Sequence, residues 1–160
     1  ASIQRHLESL NKVENKDQIL QRCMQRAQRS MEVVQKRKSK SLDLNYPELP
    51  ITAIKQELMQ KIKANQLLII AGETGSGKST QLAKICMELG FGIYGVIGHT
   101  QPRRIAARTV ADRVAEELGE SLGETVGFEV RFAKQLKIES RIKVMTDGLL
   151  LQELKSDPLW

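Results

Sequence analysis

Gly72, Gly77, Lys78 and Ser79 stand in the stretch AGETGSGKST (71–80), spaced as G-x-x-x-x-G-K-[ST]. Residues of these types at this spacing can hold the phosphate chain of a nucleotide. Glycines allow backbone conformations that a Cβ forbids, so successive N–H groups can point inward at phosphate oxygens. A helix that begins at the loop adds its N-terminal donors and the positive end of its dipole. Lys78 supplies a point charge for the β- and γ-phosphates, and Ser79 a hydroxyl for a Mg2+ ion that bridges them.

Such a loop must be carried between a strand and a helix. QLLIIA (66–71) is a short apolar run bounded by polar residues and glycine, the pattern of a buried parallel strand. KSTQLAKICMELG reads as the following helix, stopped at Gly90. Upstream, Thr52 is read as the cap of a helix carrying Ile54, Leu58 and Ile62 on one face. Downstream, IYGVIGHT is a second strand, and PRRIAARTVADRVAEELG opens with proline and ends at Gly119 as a helix. TVGFEVRF and RIKVMT read as strands, with DGLLLQELK a short helix after the last. Strands alternating with helices predict an α/β domain with a largely parallel sheet.

Ahead of this domain lies a basic arm. Ile3, Leu7 and Leu10, then Ile19, Leu20, Cys23, Met24, Ala27, Met31 and Val34, predict two amphipathic helices broken at the polar NKVENKD. QKRKSKS then reads as a linker and YPELP (46–50) as punctuation. The expected organisation is therefore a helical basic N-terminal arm over 1–45 and the α/β domain over 46–160. Residues 1–45 hold ten Lys and Arg against five acids, so they carry five of the net +6 charges. That surplus suggests an anionic partner, against the plainer reading of a solvated helix face. Two distant cysteines, Cys23 and Cys86, suit a reducing, cytoplasmic compartment and form no metal cluster with His6 and His99. No apolar run approaches the roughly 20 residues that span a membrane.

Phosphate loops serve kinases, transporters, GTPases and helicases alike, so other residues must decide among these. Arg103 and Arg104 adjoin at a strand-to-helix turn, just after Pro102. Dipole logic disfavours cations at a helix start, which makes the pair a candidate phosphodiester clamp rather than two solvated side chains. Arg131 alternates with Val130 and Phe132, so it is expected to face away from the core side of its strand. Thr146 ends a strand, where open parallel sheets form their ligand crevice, although a turn-capping role is the commoner one.

In order, GETGSGKSTQL, TQPRRIAARTVADRVAEELG, VGFEVRF and MTDGLLLQE resemble the start of the first motor domain of a DEAH-box ATP-dependent RNA helicase. KICMELG, GHTQPRR and LPI bring it nearest to the bacterial HrpA-type members, and the resemblance covers residues 46–160. It implies a partial RecA-like P-loop NTPase fold that binds ATP, or another NTP, with Mg2+. Gly72, Glu73, Thr74, Gly75, Ser76, Gly77, Lys78, Ser79 and Thr80 would wrap the triphosphate, with Lys78 and Ser79 in the catalytic roles. Arg113 matches the arginine that stacks on the base. Arg103, Arg131 and Thr146 match residues that grip the backbone of single-stranded RNA, with Arg104 beside them. Ser79 stands where threonine is usual, Ala83 where proline is usual, and Phe128 where tyrosine is common.

The D-E-A-H box and a second motor domain are expected beyond Trp160, so the chain reads as the front of a longer enzyme and its partner as the rest of that polypeptide. Alone it is expected to turn over little or no ATP. Two other readings stand beside this one. The basic arm makes the chain a non-catalytic RNA- or partner-binding module, or the loop belongs to an unrelated kinase or transporter ATPase.

Overall fold

The computed structural model describes residues 2–156, with side chains from residue 16 onward. The chain divides into two units, residues 1–36 and 37–160. The first is helical: α1 runs Ser2–Ser39, and its residues 16–32 are exposed. The break expected at NKVENKD is not there, because one helix runs through it. That stretch holds neither proline nor glycine, and each of its residues costs an exposed helix at most about 0.7 kcal/mol. The linker expected at QKRKSKS is helical as far as Ser39.

In the second unit, α2 (Pro50–Ala53) and α3 (Lys55–Ala64) precede the glycine-rich loop and α4 (Lys78–Glu88) follows it. After them come β1 (Ile97–Gln101), α5 (Arg104–Glu117), β2 (Val126–Val130), β3 (Ala133–Gln135), β4 (Ile142–Thr146) and α6 (Asp147–Ser156). The sheet order is β1-β4-β2-β3. β4 pairs in parallel with β1 and β2, and β3 closes an antiparallel hairpin onto β2. The α/β, mostly parallel architecture is the one the sequence predicts.

The main core lies between the sheet and α4 and α5. Ala107, Ala111, Val114, Ala115 and Leu118 recur at helical spacing on α5 and meet Val126, Phe128, Val130, Ile142 and Val144. Alanines let α5 approach the strands closely. Lys143 alternates with Ile142 and Val144, so it faces the opposite side, where it pairs with Glu129 and with Glu153 of α6. A smaller cluster of Ile51, Leu58 and Ile85, with Tyr46, Leu49 and Ile70 against it, supports the loop from below.

Three local expectations are corrected. Residues 66–71 form no strand, and Leu67 and Ile69 are 81% and 87% exposed. A strand exists only through its ladder, and among the described residues no neighbour pairs with this segment. Thr52 lies inside α2 rather than at its cap, with its hydroxyl accepting the Leu49 N–H at 3.0 Å. β2 ends at Val130, so Arg131 and Phe132 form the two-residue turn into β3 rather than the end of a strand. Arg131 is exposed all the same. Phe132 there takes φ 71°, a left-handed conformation that few bulky residues adopt.

Arg37, the first residue of the second unit, is 7% exposed. Its guanidinium donates to five carbonyls: Glu139 at 3.3 Å, Ile93 at 3.4 Å, Gly95 at 2.8 Å, and Ile138 and Ser140 each at 2.9 Å. Five acceptors match the five donors of the side chain. They come from the two loops that lead into β1 and β4, so one cation fixes both strand starts. Burial lowers the Arg37 pKa, and Glu139 partly offsets the shift. Arg37→Ala is expected to destabilise the chain by about 3 kcal/mol or more, because buried carbonyls lose their partners. Urea unfolding measures it, and Arg37→Lys, with three donors, should recover only part of the loss.

Candidate nucleotide site and arginine face

The loop between residue 71 and α4 turns on two left-handed glycines, Gly75 at φ 84° and Gly77 at φ 91°. Gly77 is also the N-cap of α4. A Cβ on it would lie 2.8 Å from Leu49 Cδ1 and 3.0 Å from Ile51 Cγ2, so the loop rests directly on the segment ahead of it. The Ile51 amide bonds the Ser76 carbonyl at 3.2 Å, which ties the same two segments. The amides of Gly75, Gly77, Lys78 and Ser79 donate to no main-chain carbonyl among the described residues. They remain available to an anion at the head of α4.

Lys78 lies across this loop. Its ammonium donates to Gly72 O at 2.6 Å, Glu73 O at 2.7 Å and Ser76 Oγ at 3.0 Å. The expected cradle residues thus divide by role. Thr74, Gly75, Ser76, Gly77, Lys78, Ser79 and Thr80 line a pocket of about 450 Å³ together with Pro47, Leu49, Arg113 and Glu117. Gly72 and Glu73 are not among its lining residues, and they supply the carbonyls that hold Lys78. Ser79 also lines a neighbouring cleft with Ile97, His99 and Thr100. Among the described residues no group of three or more His, Cys, Asp or Glu could hold a metal ion.

Sequence reasoning singled out Arg113 but missed what holds it. Arg113 Nε donates to Glu117 Oε1 at 3.1 Å and Nη1 to Glu116 Oε2 at 2.9 Å. The other Glu117 oxygen accepts from Lys84 Nζ and from Gln81 Nε2, each at 2.7 Å. Lys84 is fully buried on α4 and donates again to Asn45 O at 2.7 Å. Burial would raise the Glu117 pKa, but hydrogen bonds from Lys84 and Gln81 and the charges of Lys84 and Arg113 outweigh it and hold it below the usual range. The i, i+4 spacing of Arg113 and Glu117 was readable in RVAEE. The burial of Lys84 was not, since its position on the apolar face becomes visible only when α5 brings the carboxylate.

β1, β4 and β2 run in parallel, so their C-terminal ends share one edge of the sheet. Gln101 is in register with Thr146 there. Arg103 caps α5 from an extended conformation two residues after Gln101, and its side chain is exposed. Arg104 and Arg131 line one open groove of about 550 Å³ with Ile105, Arg108, Phe128 and Phe132. Arg103 and Thr146 are not in its lining. The groove has apolar rings beside cations: Arg131 lies 4.8 Å from the Phe132 ring and Arg108 5.7 Å from that of Phe128.

No protein-family model matches the chain. It is similar to the ATP-dependent RNA helicase HrpA of Escherichia coli (strain K12), with 46% identity over 159 residues, 97% of this chain and 12% of that protein. It is similar also to an HrpA homolog of Haemophilus influenzae, 51% identical over 81% of this chain and 10% of the relative. A probable ATP-dependent RNA helicase of Rattus norvegicus, DHX40, is 49% identical over 70% of this chain and 14% of its own length. The chain therefore spans only about an eighth of the length of the curated relatives it matches.

The two left-handed glycines differ in surroundings, and this separates their expected effects. Gly75→Ala, whose Cβ meets nothing within 4 Å, should cost about 1 kcal/mol of backbone strain. Gly77→Ala adds overlap with Leu49 and Ile51 and should cost about 2 kcal/mol or more. Urea midpoints at unchanged m value measure the difference.

Proposed function

Because the chain belongs to the DEAH-box RNA helicase family, beside its HrpA-type members, we propose that residues 46–160 are the nucleotide-binding and RNA-facing part of a RecA-like motor domain. The whole protein would couple ATP hydrolysis to the unwinding or remodelling of RNA. The observation that carries this reading is the group of unbonded amides at Gly75, Gly77, Lys78 and Ser79, set at the head of α4 beside a lysine ammonium.

In this mechanism the amides and the helix end bind the β- and γ-phosphates. Lys78 exchanges the Gly72 and Glu73 carbonyls for phosphate oxygens and offsets their charge. Gly72, Glu73, Thr74, Ser76 and Thr80 shape the loop around the same chain of phosphates. The Ser79 hydroxyl would hold a Mg2+ ion, which would offset phosphate charge there. Arg113, which lines the same pocket, offers a guanidinium plane to the base, and such stacking admits more than one NTP.

Single-stranded RNA crosses the C-terminal ends of the strands. Arg103, Arg104, Arg131 and Thr146 contact its phosphates and sugars there, which positions the strand without reading its sequence. The remainder of the parent polypeptide supplies the other parts of the motor. No described helix is long and apolar enough to cross a membrane, and a cytoplasmic location suits both the RNA substrate and the free thiols.

Binding of a fluorescent ATP analogue to the chain tests the loop. Lys78→Ala should weaken it about ten- to a hundredfold, the worth of hydrogen bonds to a charged group. An unchanged affinity would remove Lys78 from the site. For RNA, Arg131→Ala should weaken unrelated single strands alike and make the salt dependence shallower by about 0.7 in log–log slope. A loss confined to one RNA sequence would contradict backbone contact.

A further inference from the structure

Glu117 lines the pocket with the loop residues and links Arg113 to the helix that the loop begins. One carboxylate oxygen takes the Arg113 Nε at 3.1 Å. The other takes Lys84 Nζ and Gln81 Nε2 at 2.7 Å each, both from the helix that the loop begins. Gln81 Nε2 in turn lies 2.9 Å from Thr80 Oγ1, which lines the pocket. Arg113 is about half exposed and belongs to a long side chain with many rotamers, so left alone it would hold no fixed direction. Glu117 is only 10% exposed and Lys84 is fully buried, so the carboxylate itself is immobile.

From this geometry we propose that Glu117 is a positioning residue, which fixes the Arg113 guanidinium over the base end of the pocket by anchoring it to the phosphate-loop helix. The proposal rests on the nucleotide reading and assigns that site a residue that sets its affinity for the base. Bonds to both Glu116 and Glu117 occupy two edges of the guanidinium while the side chain stays about half exposed. A flat face fixed in advance binds any planar base at lower entropic cost, without a donor or acceptor that selects among bases. The phosphate end does not depend on this contact. Removing Glu117 should therefore weaken nucleotides and spare a ligand that has phosphates and no base.

The test uses the 160-residue chain with two ligands, ATP and inorganic tripolyphosphate, each with Mg2+. Glu117→Gln alone strands a buried ammonium, so the informative pair is Lys84→Met and the double variant Lys84→Met, Glu117→Leu. Exchanging both partners for apolar groups of similar size leaves no unpaired charge, and melting temperature checks that both variants fold. Lys84→Met keeps the carboxylate and its Gln81 bond, so it should bind ATP more tightly than the double variant does, and tripolyphosphate as the unaltered chain does. The double variant should bind ATP, GTP and CTP about five- to tenfold more weakly, the range of a guanidinium–ring contact, with tripolyphosphate unchanged. Adding Arg113→Ala to it should cause no further loss. The proposal is overturned if the double variant binds ATP as Lys84→Met does, or if ATP and tripolyphosphate weaken together, which marks a scaffold role. A chain that binds tripolyphosphate but not ATP overturns it and leaves the phosphate loop standing. A chain that binds neither overturns the nucleotide reading as well.

Discussion

The left-handed turn at Gly77 sets the terms for everything around it. A residue at φ 91° turns the chain into α4, and the next amides, of Lys78 and Ser79, are left without main-chain acceptors among the described residues. The turn is possible only where no Cβ intervenes, and here the space a Cβ would take is filled by Leu49 and Ile51. Loop and supporting segment are thus fitted to each other, with the Ile51–Ser76 main-chain bond as the seam. The apolar cluster of Ile51, Leu58 and Ile85 is the floor on which this contact rests. An anion site made of main-chain donors needs such backing, because its geometry is only as firm as the backbone that carries it.

Two buried cations answer a second problem, that of joining segments with little apolar surface of their own. Arg37 gathers five carbonyls from the loops ahead of β1 and β4, with the charge of Glu139 acting on it as well. Lys84 instead bridges α4, α5 and the chain at Asn45 through one carboxylate and one carbonyl. The planar fork suits many dispersed acceptors, and the compact ammonium suits a close pair. Both are polar solutions inside a small core, where charged hydrogen bonds offset the cost of burial.

Much of this was legible in the sequence. The motif gave the loop its boundaries because its chemistry is local: glycine, lysine and hydroxyl act within ten residues. The same holds for α5, whose proline, alanine spacing and terminal glycine all act within one helix. What escaped was whatever depends on a distant partner. QLLIIA has the composition of a strand, but no described residue supplies its ladder, and it stays irregular. The hairpin of β2 and β3 escaped because its turn uses Arg131 and Phe132 rather than the usual Asn-Gly, so no turn signal marked it. The basic QKRKSKS looked uniformly solvated, since nothing in it distinguishes Arg37 from its neighbours until five carbonyls converge. Similarly, Glu117 carries no mark beyond its spacing from Arg113.

β1 is the outer strand of the sheet, with one row of peptide groups unpaired among the described residues, and the uncovered side chains of Leu67 and Ile69 belong to the same unit. Bare strand flanks and loose apolar runs are what recruits another copy into cross-strand assembly. For the isolated chain, colloidal behaviour is then governed by how crowded the solution is rather than by how firmly each molecule is folded, and its surplus of positive charge is a counterweight.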